Sequence, residues 1–207
     1  MEQIHYLPLL PNHYYHIYNR GNNFENLFYN EENYSFFLRK YDYYLLDYLD
    51  TYAYCLLPNH FHLLVKVKPL EIFKLSTFLK LGKPLEDPSQ IVSEAFRRFF
   101  MSYSKAINKQ SSRTGSLFQK NFKRKLIEDE RYLLTCAKYI HQNPQKHGIS
   151  DDFKTYQYSS YGRTLVEKPT KLMKKEVISW FGSTDSYKEL HNTLKSDHEI
   201  VEKIIIE

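Results

Sequence analysis

Two histidines lie two residues apart within residues 58–65, and their side chains are suited to hold a divalent metal. The segment is typical of a β-strand, in which successive side chains point to opposite faces, so His60 and His62 share one face. The other face carries an unbroken apolar row of Phe61, Leu63, Val65 and Val67. We expect the apolar row to pack against other elements, which leaves both imidazoles on the opposite side.

A second pair of candidates lies on a predicted helix. Positions 132, 136, 139 and 143 follow a helical stripe, so Tyr139 and Asn143 lie one turn apart on one face. A phenol oxygen can attack the phosphorus of a phosphodiester that a metal polarises, and a carboxamide oxygen can complete the metal's ligand shell. Because a free phenol has a pKa of about 10, it needs a neighbouring cation to act at neutral pH.

Each of these signals also has a simpler interpretation. An isolated His-x-His pair on a strand is more often structural or exposed than metal-binding. A tyrosine on an amphipathic helix usually contributes to packing. A basic run on a strand usually forms a solvated edge, and here it comprises Lys120, Lys123, Arg124 and Lys125. Spacing alone therefore indicates a metal and phosphate site only as one alternative among these.

The composition is that of one domain of ordinary size. The chain has 207 residues, 42% of them hydrophobic, and a net charge of +5. This charge favours polyanionic partners without being typical of a dedicated DNA coat protein. Nineteen tyrosines suit stacking on nucleobases, although a genome of low GC content would also favour that residue.

The sequence also predicts the protein's compartment. Cys55 and Cys136 are too few for a disulfide framework, which favours a reducing cytoplasm. The N-terminus lacks the basic and apolar regions of a signal peptide, and no apolar run approaches the length of a membrane span. We expect a cytoplasmic protein with no membrane partner.

Periodicity predicts strand, helix, strand, strand, helix, strand, helix in that order. The strands are expected at 14–19, 51–57, 60–67 and 117–127, and the helices at 31–50, 89–109 and 128–143, where Pro144 should end the last one; a short helix is indicated within 69–88. This order favours an α+β fold with a ferredoxin-like βαββαβ antiparallel sheet, helices on one face and a further C-terminal helix carrying Tyr139. We predict one domain over residues 1–165, followed by a helical appendage over residues 166–207.

Taken together, the motifs resemble the single-tyrosine HUH transposases, and among them the REP-associated tyrosine transposases. The resemblance extends in order from about residue 7 to residue 162. The segments that carry it are YHIYNRGN at 15–22, LPNHFHLLV at 57–65, TGSLFQKNF at 114–122, YIHQNP at 139–144 and YQYSSY at 156–161.

The resemblance implies a metal-dependent DNA endonuclease and strand transferase. His60 and His62 would be the metal-binding histidines of the HUH motif. Tyr139 would be the catalytic nucleophile, attacking single-stranded DNA to give a 5′-phosphotyrosine and a free 3′-hydroxyl. Asn143 would be the third metal ligand, at a position where glutamine is frequent. The family implies Mg²⁺ or Mn²⁺, whereas imidazole ligation alone would favour Mn²⁺ or Zn²⁺.

The family's substrates are hairpin-forming DNA ends with single-stranded flanks. The side chains expected to contact phosphates are Arg20, Lys120, Lys123, Arg124 and Lys138. Some relatives are homodimers that exchange the tyrosine between subunits, and others act as monomers; both states fit the sequence. Two other functions fit as well: a non-catalytic hairpin-binding protein derived from such a transposase, and a zinc-dependent hydrolase using the two histidines.

Overall fold

The computed structural model describes residues 7–69 and 87–193, which are built around a four-stranded antiparallel sheet. The strands lie side by side in the order β2-β3-β1-β4. Strand β3 pairs with β1 and β2, and β1 also pairs with β4. The strand bounds are β1 Tyr14–Arg20, β2 Leu49–Leu57, β3 His60–Val67 and β4 Lys123–Ile127. The predicted ferredoxin-like arrangement is confirmed.

Six α-helices are described in residues 7–69 and 87–193. The two longest begin with side-chain caps: Asp87 accepts from the Ser89 N–H at the start of α2, and Asp129 from the Tyr132 N–H at the start of α3. None of the described helices is long and apolar enough to cross a membrane. The helices are α1 Glu31–Leu45, α2 Pro88–Gln110, α3 Glu130–Lys146, α4 Tyr161–Leu165, α5 Lys174–Trp180 and α6 Thr184–Asn192.

The two faces of the sheet carry separate hydrophobic cores. Helices α1 and α2 cover one face, where their aromatic side chains pack on the apolar row of β3. Phe37 of α1 lies between Phe61 of β3 and Phe99 of α2, with ring centres 5.2 and 4.8 Å away. Each such buried phenylalanine contributes about 1.5–3 kcal/mol. The predicted alternation along β3 is therefore confirmed, since His60 and His62 point to the other face.

The predicted end of α1 and the predicted start of β4 were wrong. Helix α1 ends at Leu45 rather than near residue 50, because Leu49 already pairs with Val67 in the sheet. Strand β4 begins at Lys123 rather than at residue 117, because Asn121 has a φ of 62° that interrupts an extended backbone. The predicted short helix within 69–88 falls almost entirely outside the described residues.

Helix α3 continues past Pro144, where the sequence predicts that it ends. A proline lacks the N–H that would bond the carbonyl one turn earlier, but it leaves later bonds intact. The helix continues to Lys146 and is capped by the His147 N–H, which donates to the Asn143 carbonyl over 3.0 Å. The extra turn brings Lys146 and His147 beside the candidate site.

The described part of the C-terminal segment packs on the second face of the sheet. Three of its side chains are buried in the same cluster as the apolar residues of α3: Val177 of α5, Phe181 between the two helices, and Tyr187 of α6. The division of the chain at residue 165 stays a prediction.

Candidate active site

The sheet face opposite α1 and α2 carries three buried histidines, and we call it the histidine face. His60 and His62 come from β3, and His16 comes from the adjacent strand β1. The Nδ1 atom of His62 lies 2.9 Å from Nε2 of His16, and Nδ1 of His60 lies 2.7 Å from Oδ1 of Asn59. If each Nδ1 carries the proton and donates it, the Nε2 lone pairs of His60 and His62 are free to bind a metal.

Five buried polar atoms at this site have no hydrogen-bond partner among the described residues. Three of them can donate a lone pair to a metal, namely Nε2 of His60, Nε2 of His62 and Oδ1 of Asn143; the other two are Nδ1 of His16 and Nε of Arg20. An unsatisfied buried acceptor costs about 1–3 kcal/mol, so three together require an explanation. Two imidazole nitrogens and an amide oxygen are suitable ligands for a divalent cation, and the predicted donor set therefore fits the implied metal.

The amide is essential to this interpretation. Among the described residues, no group of three or more His, Cys, Asp or Glu side chains is placed to hold a metal. Asn143 is fully buried, and its Nδ2 donates to the Tyr139 carbonyl over 3.2 Å. This bond orients the amide plane and leaves Oδ1 as the atom available for a ligand.

The surroundings keep both candidate ligands neutral. Burial, followed by the charges of His147 and Arg20, lowers the pKa of His60 to about 3. Burial also holds the pKa of His62 well below its ordinary value, and the neighbouring His16 acts in the same direction. Neutral imidazoles retain the lone pair that a metal needs, so the site is ready for ligation at neutral pH.

The Tyr139 ring stands edge-on to the histidine face. Its centre lies 5.6 Å from that of His62, with the two planes at 87°. Burial raises the pKa of Tyr139, whereas the Asn143 side chain and the charge of Arg20 lower it. The Nζ atom of Lys146 lies 4.8 Å from the centre of the phenol ring. Arg20 and Lys146 thus supply the neighbouring cations that a phenol needs if it is to act as a nucleophile at neutral pH.

Two of the other predicted phosphate contacts, Lys123 and Arg124, are neighbours on β4 and therefore point to opposite faces of the sheet. Lys123 pairs with Tyr18 in the β4–β1 register and shares the histidine face. Arg124 pairs with Ile17, which points into the α1–α2 core, and its Nη1 donates to Ser93 of α2 over 3.0 Å. The structure therefore does not bring Arg124 to the site.

The two remaining lysines lie at the margins of the site. Lys120 is exposed, and the N–H of the preceding Gln119 donates to the Arg20 carbonyl over 2.9 Å. Lys138 lies on α3, and its Nζ donates to the Thr193 hydroxyl over 2.8 Å. Lys120 thus follows a residue that is bonded to Arg20 of the site, whereas the Lys138 side chain is held toward the C-terminal segment.

Sequence reasoning missed His16, Lys146 and His147 as site residues. His16 alternates with Tyr18 and Arg20 along β1, so strand periodicity alone could have placed it on the face of Arg20. The His147 ring lies 4.8 Å from that of His60. Lys146 and His147 follow Pro144, so a helix that ended before this proline would not carry them to the site.

A buried chain of hydrogen bonds fastens α3 to α6. Nδ1 of His141 lies 2.9 Å from Nε2 of His191, whose own Nδ1 donates to the Tyr187 carbonyl over 2.7 Å. Nε2 of His141 lies 2.7 Å from the Ser160 hydroxyl, and the Gln142 side chain donates to the His191 carbonyl over 2.7 Å. These bonds fix the helix that carries Tyr139 against the C-terminal segment.

Because these hydrogen bonds bury His191, we expect the unfolding free energy of the protein to decrease in mild acid. Burial lowers the pKa of His191 to about 4 in the folded protein, against an ordinary value of 6.5. Between pH 6.5 and 4, His191 therefore binds a proton in the unfolded protein but stays neutral in the folded protein. The contribution of His191 to the unfolding free energy is present above pH 6.5 and is lost as the pH falls toward 4. Between pH 7.5 and 5.0, His191 alone should remove about 2 kcal/mol of unfolding free energy.

Urea unfolding at these two pH values, in EDTA, measures the loss. His191→Gln should reduce the difference between the two pH values, whereas the matched change His13→Gln, at an exposed position, should leave it as in the unsubstituted protein. An equal pH dependence in His191→Gln and the unsubstituted protein would contradict the prediction.

Comparison with known proteins agrees with the motifs. No family profile matches the chain. Over 122 residues it is 30% identical to a Haemophilus influenzae protein provisionally described as a REP-associated tyrosine transposase; the alignment covers 56% of this chain and 61% of that protein's length. A solved REP-associated tyrosine transposase bound to a REP hairpin has a similar fold, with a TM-score of 0.56 and 16% identity over 82% of this chain and 89% of that one. The resemblance predicted from the motifs is confirmed.

Proposed function

We propose that this chain is an HUH-type tyrosine transposase that cuts and rejoins single-stranded DNA beside a hairpin through a covalent bond to Tyr139. The observation that carries the proposal is the set of three partnerless buried acceptors on His60, His62 and Asn143, next to the Tyr139 phenol. Similarity to the Haemophilus protein supports the reaction class, and the hairpin in the solved structure supports the substrate.

His60, His62 and Asn143 would hold Mg²⁺ or Mn²⁺. When bound, the ion supplies Lewis-acid polarisation of the scissile phosphate. The three ligands carry no negative charge, so the site keeps its full attraction for a phosphodiester anion. His16 and Asn59 hold the two imidazole rings through their Nδ1 atoms, which keeps the donor lone pairs in place.

In cleavage the Tyr139 hydroxyl loses its proton and its oxygen attacks phosphorus. A bond from the phenolic oxygen to phosphorus forms, and the bond from phosphorus to the 3′-oxygen breaks; that oxygen takes up a proton and leaves as a free 3′-hydroxyl. The 5′-phosphate stays on Tyr139. Attack by a 3′-hydroxyl on this phosphotyrosine reverses the step and rejoins the strand. The charges of Arg20 and Lys146 stabilise the phenolate and the phosphate.

The tyrosine acts on the metal site of its own chain. His62 and Tyr139 meet within one subunit, and hydrogen bonds from α6 hold α3 in that position. A complete site in one chain needs no residue from a second copy. This arrangement supports action as a monomer rather than by exchange of α3 between two subunits.

The deciding experiment is an adduct assay on a labelled single-stranded oligonucleotide that forms an imperfect hairpin with unpaired flanks. With Mn²⁺ or Mg²⁺ we expect a covalent protein–DNA species on a denaturing gel together with a new 3′-hydroxyl end, and in EDTA neither product. Tight hairpin binding without cleavage in either metal would overturn the proposal in favour of a non-catalytic hairpin-binding protein.

A further inference from the structure

We propose that the Phe24 ring is a stacking platform for an unpaired base of the DNA strand, next to the phosphate that is cut. The inference rests on the proposed function and adds a nucleobase subsite to it. Phe24 is 65% exposed, more than any other large hydrophobic residue in the described part of the chain. It lies in a short 3-10 turn, Asn22–Phe24, that follows β1 directly.

The turn is held firmly although its ring is exposed. The Gly21 N–H donates to the Asn59 carbonyl over 2.8 Å, and the Asn22 N–H donates to the Leu117 carbonyl over 2.8 Å. A Cβ on Gly21 would lie 2.0 Å from the Glu25 carbonyl oxygen, so only glycine permits this close return of the chain. The ring of Phe24 is therefore presented from a fixed backbone rather than from a loose loop.

The backbone of the turn is strained at the aromatic residue itself. Phe24 has a φ of 60° and follows Asn23 at 53°. Asparagine adopts this left-handed region with little difficulty, but a bulky residue rarely does. The exposed ring gains little from burial to offset the strain. Such strain concentrates at functional sites, where it fixes a side chain in the orientation that the function needs.

Two connections lead from the ring to the candidate site. The Arg20 guanidinium carbon lies 5.2 Å from the centre of the Phe24 ring, and the charge of the same arginine acts on His60, His62 and Tyr139. Asn59 is the second connection, because its carbonyl holds the turn while its side chain holds Nδ1 of His60. A phosphate that contacts Arg20 would place a neighbouring base within reach of the ring.

The chemistry of the surroundings favours a nucleobase over a protein partner. Phe24 is a single exposed ring beside a cation, whereas a protein interface presents a contiguous apolar core with few charges. An aromatic face next to Arg or Lys is the arrangement that binds successive bases and phosphates of a single strand. Because every base has a π-face, stacking here would fix the position of the strand without reading its sequence.

The test measures hairpin binding by fluorescence anisotropy in EDTA, with Tyr139→Phe as the background so that no DNA is cut. One abasic site is moved along the unpaired flank, one nucleotide at a time. We expect a single position at which the missing base weakens binding about tenfold or more. Phe24→Ala should weaken binding to intact DNA by a similar factor, and the abasic site should then cost nothing further at that position.

Phe24→Trp should restore both the affinity and the abasic penalty, since it provides a larger stacking face. Tyr43→Ala is the matched control, because Tyr43 is 58% exposed but lies on α1, which packs on the other face of the sheet. Thermal unfolding of Phe24→Ala checks the fold, and a nearly unchanged Tm is expected because the lost ring is exposed and alanine keeps the same Cβ at the same positive φ.

Binding of Phe24→Ala equal to that of the background protein, or an abasic penalty that persists in this variant, would overturn the inference while leaving the proposed function intact. Failure of the background protein to bind any hairpin would instead overturn the proposed function, and this inference with it.

Discussion

Replacing Tyr139 with phenylalanine should abolish the covalent protein–DNA species and reduce strand cleavage on the order of 10⁴-fold or more. The change removes only the attacking oxygen. The ring keeps its edge contacts with His62 and His16, whose centres lie 5.6 and 6.3 Å away, so the site should stay assembled. Single-turnover cleavage of a labelled hairpin, resolved on a denaturing gel, measures both products.

Hairpin affinity should change by less than about twofold in Tyr139→Phe, because the phenol hydroxyl reacts with the phosphate rather than supplying much of the binding energy. The matched control is Tyr132→Phe, a buried tyrosine on the same stripe of α3. It should cleave at a rate close to that of the unsubstituted protein. Persistence of the adduct in Tyr139→Phe would show that another residue is the nucleophile.

Replacing His60 and His62 together with alanine should eliminate metal-dependent cleavage and reduce Mn²⁺ affinity at least about a hundredfold. Two of the three candidate donor atoms are lost, and the remaining amide oxygen of Asn143 is a weak ligand by itself. Isothermal titration with Mn²⁺ gives a measurement that does not depend on activity. Circular dichroism verifies that the double variant is folded, since both imidazoles are buried.

The His16→Gln variant distinguishes residues that bind the metal from a residue that only orients one of the ligands. His16 is not itself a proposed ligand but bonds Nδ1 of His62, so its loss should weaken Mn²⁺ binding about tenfold to a hundredfold rather than abolish it. His13→Gln, at an exposed position, should bind Mn²⁺ as the unsubstituted protein does. Cleavage that continues unchanged in EDTA, or in the double alanine variant, would rule out the proposed metal site.

The parts of the site that were predictable depend on local periodicity. Strand alternation placed His60 and His62 opposite the Phe61 row, and helical spacing placed Tyr139 and Asn143 on one face; both expectations hold. The fold followed from the order of the elements, because a short connection between β2 and β3 and helical crossovers elsewhere leave few compact arrangements.

The parts that were missed depend on the surroundings of each residue. The same alternation separates Arg124 from Lys123, whereas the sequence predicts that both contact phosphates. The pairing of His141 with His191 joins residues 50 positions apart, and no local pattern signals it. Proline in the last turn of α3 was tolerated because only one hydrogen-bond donor is lost there.

The fastening of α3 to α6 has a consequence for how this protein opens. Amide hydrogen exchange should show the two helices becoming accessible together, as one cooperative unit, because α3 cannot leave the sheet without breaking the bonds of His141 and Gln142 to α6. If two copies exchanged their nucleophile helices, the exchanged piece would have to be the whole of residues 130–193 rather than α3 alone. The C-terminal helices thus define the smallest unit in which Tyr139 can move away from the sheet.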